Sequence, residues 1–306
     1  MGSTAGESVT PGHARSITRP GVWLTELSLV LMALIWGVNF SVVKFGTTLV
    51  DPLAYNGVRV SLAALLLCAI VAVGRLPLPA GRTIVALLLL GALGNGVYQY
   101  FFVEGIALTR ASDTALVVAA SPAFIAIIGR MVGVERLSRR AVLGVAGSIA
   151  GIALVVVGSS QDEGKSSLLG LLLVLCGSLA WAFYTVLLKP HTERVSGLQL
   201  SAVTMVGGAV PLLVVAWPAV SHTHWAALPL LGWGAIAYSA VFALVLAYYF
   251  WYHGVRTIGP TRTAIYSNLQ PLIAMLVAWG MLGEVPTVWQ GLGAMCIVGS
   301  LMAARP

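Results

Sequence analysis

Charge is what this sequence has least of. Only 9% of its 306 residues are Asp, Glu, Lys or Arg, while 58% are hydrophobic and the mean hydropathy is +0.94. Soluble domains carry about 25% charged residues, so this chain has too little polar side chain to cover a water-facing globule. Cysteine is also scarce. Cys68, Cys176 and Cys296 lie far apart, with no CxxC pair; they read as small apolar packing residues, not as a disulfide framework. The five histidines, His13, His191, His222, His224 and His253, fall in the N-terminal tail, in loops or at the end of an apolar stretch. With no metal cluster and no convergent nucleophile or acid–base set, nothing points to an enzyme, and neither metal nor cofactor is expected. No Walker loop is present, so ATP is not the expected energy source. There is no basic stripe interleaved with aromatics, which excludes nucleic acid as an expected partner. The ten carboxylates all sit in tails, loops or stretch ends. A proton relay built on a buried midplane carboxylate is therefore not available.

What fills the chain is apolar runs. A spanning helix needs about 20 mostly apolar residues, and ten stretches qualify: 26–48, 52–73, 84–104, 112–131, 139–158, 168–188, 198–217, 226–252, 262–282 and 286–303. These are numbered spans 1 to 10 below. The expected class is an all-α membrane protein with ten transmembrane helices, its partners the lipid bilayer and a small-molecule substrate. Residues 1–25 are polar and rich in Gly, Ser, Thr and Pro, and read as a disordered cytoplasmic tail. Span 1 is full length and has no cleavage pattern, so no cleavable signal peptide is expected. With the N-terminus inside, thirteen basic residues face the cytoplasm and three, Lys44, Arg110 and Lys165, face outward; Arg59 lies within a span. That bias obeys the positive-inside rule, supports an even number of spans and places both termini in the cytoplasm.

The chain is also duplicated. Residues 105–135, GIALTRASDTALVVAASPAFIAIIGRMVGVE, align without a gap on residues 254–284, GVRTIGPTRTAIYSNLQPLIAMLVAWGMLGE, at an offset of 149. Gly105 meets Gly254, Thr114 meets Thr263, Pro122 meets Pro271 and Glu135 meets Glu284. Spans 1 and 6 correspond at an offset of 145, each with Trp and, eight positions on, Lys: Trp36 and Lys44, Trp181 and Lys189. The difference puts a four-residue insertion near His222-Thr223-His224. Two repeats follow, 26–158 and 168–303. Five spans is an odd number, so the second repeat enters from the opposite face, which gives two inverted five-helix units about an axis in the membrane plane. Such symmetry offers two exchangeable conformations, the architecture of an alternating-access carrier.

The Trp36-Gly37-Val38-Asn39-Phe40 start and the paired Gly, Thr-Ala, Pro and Glu blocks resemble the drug/metabolite transporter superfamily, EamA type. The resemblance covers nearly the whole chain beyond the tail. It implies ten helices in two repeats and a secondary carrier in the inner membrane that exports amino acids or other small metabolites. The superfamily also holds nucleotide-sugar and sugar-phosphate exchangers, and a channel-like facilitator is the further alternative. The halves differ at Gly37 and Ala182, and at Asn39 and Tyr184, as an asymmetric substrate would require.

Polar groups within spans cost free energy unless paired or wetted, so those near span centres are candidates for a substrate cavity. They are Trp36, Asn39, Arg59, Asn95, Tyr98, Gln99, Ser121, Trp181, Tyr184, Tyr266, Asn268 and Gln270. Pro122 and Pro271 each remove a helical hydrogen bond at a span centre, as hinges or as packing kinks. Tyr248, Tyr249 and Trp251 in span 8 read as an interfacial belt. Arg59 is either a counter-charge for substrate or a partner for Asp51. Lys44 and Lys189 lie near opposite mouths, to attract anionic groups or to snorkel. Glu135 and Glu284 read as caps for spans 5 and 10. Glu104 and His253 are the one titratable pair for proton coupling. In span 5, Gly144, Gly147, Ser148 and Gly151 allow close helix approach, within the chain or across a homodimer.

Overall fold

The computed structural model describes residues 22–133 and 166–303, together with 143, 146–147, 149–155 and 157. Every regular element among the described residues is helical. Eight helices are long and apolar enough to cross a membrane: Trp23–Leu49, Pro52–Val73, Gly81–Ala107 and Ala111–Met131 are spans 1 to 4, and Leu168–Thr192, Gly197–His222, Leu230–Ile258 and Arg262–Leu282 are spans 6 to 9. The shorter apolar helix Val288–Gly299 occupies the place of span 10. Part of the stretch expected as span 5 lies outside the described residues, and so does Glu135; its described residues, 149–155 among them, are helical.

Local chemistry fixes the helix ends. Asp51 caps span 2, accepting from Leu53 N at 2.9 Å and Ala54 N at 3.2 Å, with Pro52 in the first turn. Ser167 caps span 6 through Gly170 N at 2.9 Å. Ser196 and Gln199 form a reciprocal capping box at the start of span 7. Span 8 starts at Leu230 instead of 226, because Trp225–Ala227 make a single tight turn ahead of Pro229.

Two contacts establish the inversion. Lys44, late in span 1, donates to Ile106 O (3.1 Å) and Ala107 O (2.9 Å) at the end of span 3. Ser167 N, at the start of span 6, donates to Leu108 O (3.0 Å) at that same end. Span 1 therefore finishes on the face where span 6 begins. Its own start lies on the opposite face, where Thr25 Oγ1 meets His253 Nε2 at 3.1 Å. The corresponding first helices of the two repeats thus run antiparallel.

The repeats interlock. Span 1 packs on spans 8 and 9 of the other repeat, span 6 packs on spans 3 and 4, and spans 2 and 7 pack on each other. Backbone irregularities recur at matching places. Span 3 carries a π-helical segment at Ala92–Val97 and span 8 one at Ser239–Leu246, which coincide once the offset of 149 is applied. Span 4 breaks between Val118 and Ser121, and span 9 tightens to a 3₁₀ turn at Ser267–Leu269, each just ahead of its proline.

One expectation is corrected here, and one left open is narrowed. Cys68 and Cys176 lie on exposed flanks of their spans and are not core packing; cysteine is apolar enough to sit against lipid as readily as in a core. Gly151 makes its close approach within the chain, since a Cβ there would stand 2.8 Å from Gly293 O on the helix Val288–Gly299. Gly144 and Ser148 lie outside the described residues.

Candidate functional site

Repeat mates meet at the centre of the fold. Trp36 and Trp181 have ring centroids 6.0 Å apart at 86°, and Gln99 Nε2 donates to the hydroxyl of its mate Tyr248 at 3.3 Å. A residue can touch its own symmetry mate only beside the symmetry axis, so the axis passes between these pairs. A cavity surrounds it. Spans 1, 2 and 3 supply Trp36, Asn39, Arg59, Tyr98 and Gln99; span 4 supplies Ser121 and Pro122; spans 6, 8 and 9 supply Trp181, Tyr248, Trp251, Ser267 and Gln270. Its free space is about 50 Å³ for the centres of water-sized spheres. One water needs roughly 10–15 Å³ on that measure, so the cavity has room for a few waters.

The walls are aromatic. Trp36 lies 5.7 Å from Tyr248 and 5.6 Å from Trp251, and Trp181 lies 5.1 Å from Tyr98, all between ring centroids. Trp36 Nε1 donates to Ala243 O at 2.9 Å, which fixes its ring. Faces and edges arranged this way favour apolar or aromatic bodies and can also hold a cation.

Polar groups enter as two connected sets. In the first, Asn56 Nδ2 donates to Gln99 O (2.8 Å), Arg59 Nε to Asn56 Oδ1 (2.8 Å) and Arg59 Nη2 to Gln99 Oε1 (2.7 Å). In the second, Ser239 Oγ donates to Asn39 Oδ1 (2.7 Å), and the single hydroxyl hydrogen of Tyr55 has both Ser239 Oγ (2.9 Å) and Ala235 O (3.0 Å) within reach as acceptors. Asp51 is spent on its helix cap, so Arg59 takes amide partners and not that carboxylate.

Nine of the expected site residues, Trp36, Asn39, Arg59, Tyr98, Gln99, Ser121, Pro122, Trp181 and Gln270, share this cavity. Asn95, Tyr184, Tyr266, Asn268 and Pro271 do not line it. Tyr184 is fully buried, with its hydroxyl against those of Tyr252 and Thr204. Asn95 and Asn268 are buried, with amides that find no acceptor or donor among the described residues. The belt expected in span 8 is corrected: Tyr248 and Trp251 are buried and face the cavity, and only Tyr249 points outward. The belt reading rested on residue type alone; Tyr248 and Trp251, three apart in the regular helix Ala247–Ile258, share its buried face. Asn56 and Ser239 are further polar participants that sequence reasoning missed; Asn56 pairs with Arg59 three residues on and with Gln99 of span 3, and Ser239 pairs with residues of spans 1 and 2 far away in sequence.

The charged groups outside the cavity do other work. Glu284 does not cap the helix that follows it, which has its own box of Thr287 and Gln290. Gly283, at φ +67, turns the chain back, and the Glu284 carboxylate instead caps span 4 of the other repeat. It accepts from Ala111 N (2.9 Å), Ser112 N (3.1 Å) and Ser112 Oγ (2.7 Å), with Arg110 Nε 3.8 Å away. Asp113 accepts from Ser166 Oγ (2.6 Å) and Gln290 Nε2 (2.7 Å) beside it. Together these bonds tie the ends of spans 4, 6, 9 and 10 on one face. Lys44 is held by two carbonyls on that face, whereas half-exposed Lys189 makes no hydrogen bond among the described residues. Glu104 lies at the Lys44 end of the bundle and His253 at the Thr25 end, and 19 residues of helix separate those ends by about 28 Å. The structure therefore does not bring the pair together.

Known proteins carry the same pattern. The Bacillus subtilis protein described as "Uncharacterized transporter YyaM" is 27% identical over 282 residues, covering 91% of this chain and 92% of that one. The Escherichia coli K12 protein described as "Uncharacterized inner membrane transporter YedA" is 28% identical over 273 residues, covering 87% and 86%. A solved crystal structure shares the fold with a TM-score of 0.67 at 18% identity, over 92% of this chain and 96% of that one. The EamA-like transporter family matches residues 23–157 and again 168–304, once for each inverted repeat, and the chain is a multi-span membrane transporter that belongs to that family.

Proposed function

We propose that this chain is a secondary carrier that exports a small amphiphilic solute of the amino-acid kind across the inner membrane by alternating access. The observation that carries the reading is the central cavity, walled by aromatic rings and amides from both repeats and placed on their symmetry axis. A site on the axis stays in place while the repeats rock about it. The positive-inside bias puts both termini in the cytoplasm and the Arg110 face outside. The Glu284 cluster on that face then acts as an outer latch, because its bonds must break for spans 4 and 9 to part there. Pro122 and Pro271 lie one turn or less from the backbone breaks and supply the bending points. Among the described residues a single cation lines the cavity, too few for a nucleotide sugar.

The test is counterflow in proteoliposomes with a labelled amino-acid panel. A carrier accumulates label faster when the same solute is preloaded on the far side. Uptake indifferent to the far-side solute would mean a channel-like facilitator instead.

A further inference from the structure

We infer that the transported solute bears a single negative charge, a carboxylate, that docks on Arg59; the inference rests on the central cavity being the transport site. Arg59 is 1% exposed, two turns inside span 2. Two of the five guanidinium hydrogens go to Asn56 and Gln99; Nη1 is buried and finds no acceptor among the described residues, and Arg59 as a whole lines the cavity. Among the described residues no carboxylate pairs with it. The rings of Tyr55 and Phe102 stand 5.7 and 5.9 Å from its Cζ, which offsets part of the charge but offers Nη1 no acceptor.

A buried, unpaired cation is costly and persists where something neutralises it. Here the neutral partners also fix its direction. Asn56 is held by Gln99 O, and Gln99 is held by Tyr248 OH, so both amides keep their oxygens toward the guanidinium. The free Nη1 edge is thus preset for a planar anion, which guanidinium groups bind through paired hydrogen bonds. One positive charge matches one negative charge, which selects a carboxylate over a phosphate dianion. The aromatic walls accept the rest of the solute, and the ring faces can take the ammonium of a zwitterion.

The experiment measures Kd from concentration-dependent melting of the purified full-length chain in lipid nanodiscs. The probes are indole-3-acetate with indole-3-acetamide, phenylalanine with phenylalaninamide, and phenyl phosphate. Each acid is expected to bind about tenfold or more tightly than its amide, and than phenyl phosphate. Arg59→Gln collapses the acid-to-amide ratio to about one, and Arg59→Lys restores part of it. Equal binding of acid and amide by the native protein, or no binding of any acid, overturns the inference, and that comparison needs no variant to fold. Tighter binding of phenyl phosphate overturns the carboxylate assignment. Counterflow separates the two claims. Acid preference without counterflow sinks the carrier reading and leaves the docking role standing. Counterflow indifferent to the acid group does the reverse.

Discussion

At the residue scale, apolar packing decides what each position tolerates. Gly91 in span 3 faces span 7, where an added Cβ would collide with the Thr204 carbonyl. Backbone cannot swing aside as a side-chain tip can. Gly91→Ala is expected to lower stability by about 1–3 kcal/mol, read as a lower melting temperature in detergent. Gly280, also helical, has nothing within 4 Å of its added Cβ; Gly280→Ala should leave the melting temperature level or raise it by removing chain entropy. The polar residues divide differently. Trp36, Asn39, Arg59, Gln99 and Trp181 were legible in the sequence because charge, amide or indole in mid-span is costly without a purpose. Most of their partners were not. Asn56, three residues before Arg59 in the expected span 2, could have been paired with it, but Gln99 across the span 2–span 3 contact could not, and Ser239 meets Asn39 across 200 positions of sequence.

At the element scale, the informative features are interruptions. The proline breaks could be read ahead, but the π segments could not: Gly94, Asn95 and Gly96 weaken the helix at Ala92–Val97 without specifying a π turn, and Ser239–Leu246 holds no Gly or Pro to mark its interruption. The bending points make a prediction of their own: Pro122→Ala and Pro271→Ala should fold and melt no lower than the native chain, yet slow counterflow several-fold, because restored helical hydrogen bonds stiffen spans 4 and 9. The latch makes another. Glu284→Ala removes three hydrogen bonds to span 4, and charge-assisted bonds each contribute roughly 1.5–3 kcal/mol. A shift of about 1.4 kcal/mol already changes a two-state population tenfold. In a cysteine-free background, a reporter cysteine at Ser121 should react about tenfold faster or more with an impermeant maleimide from the Arg110 face when Glu284→Ala is present. An unchanged rate would mean that the cluster is only a helix cap.

At the scale of the whole molecule, the duplication says how many units there are, and the packing says that neither stands alone. Span 1 lies against spans 8 and 9, and span 6 against spans 3 and 4. Each repeat therefore completes the other's interior, and both surround one cavity. A separated repeat would expose to lipid the Trp36 or Trp181 wall and, in the first repeat, the Arg59 charge. Lipid supplies no hydrogen bonds to such groups. Produced singly, residues 1–160 and 161–306 should each be degraded or aggregate; produced together, they should co-purify through a tag on one half and recover counterflow. The result to look for is the joint requirement. A first repeat that is stable alone, binds acids through Arg59 and migrates as a monomer would show that the interlocked packing is dispensable, and the shared-axis site would then lose its physical basis.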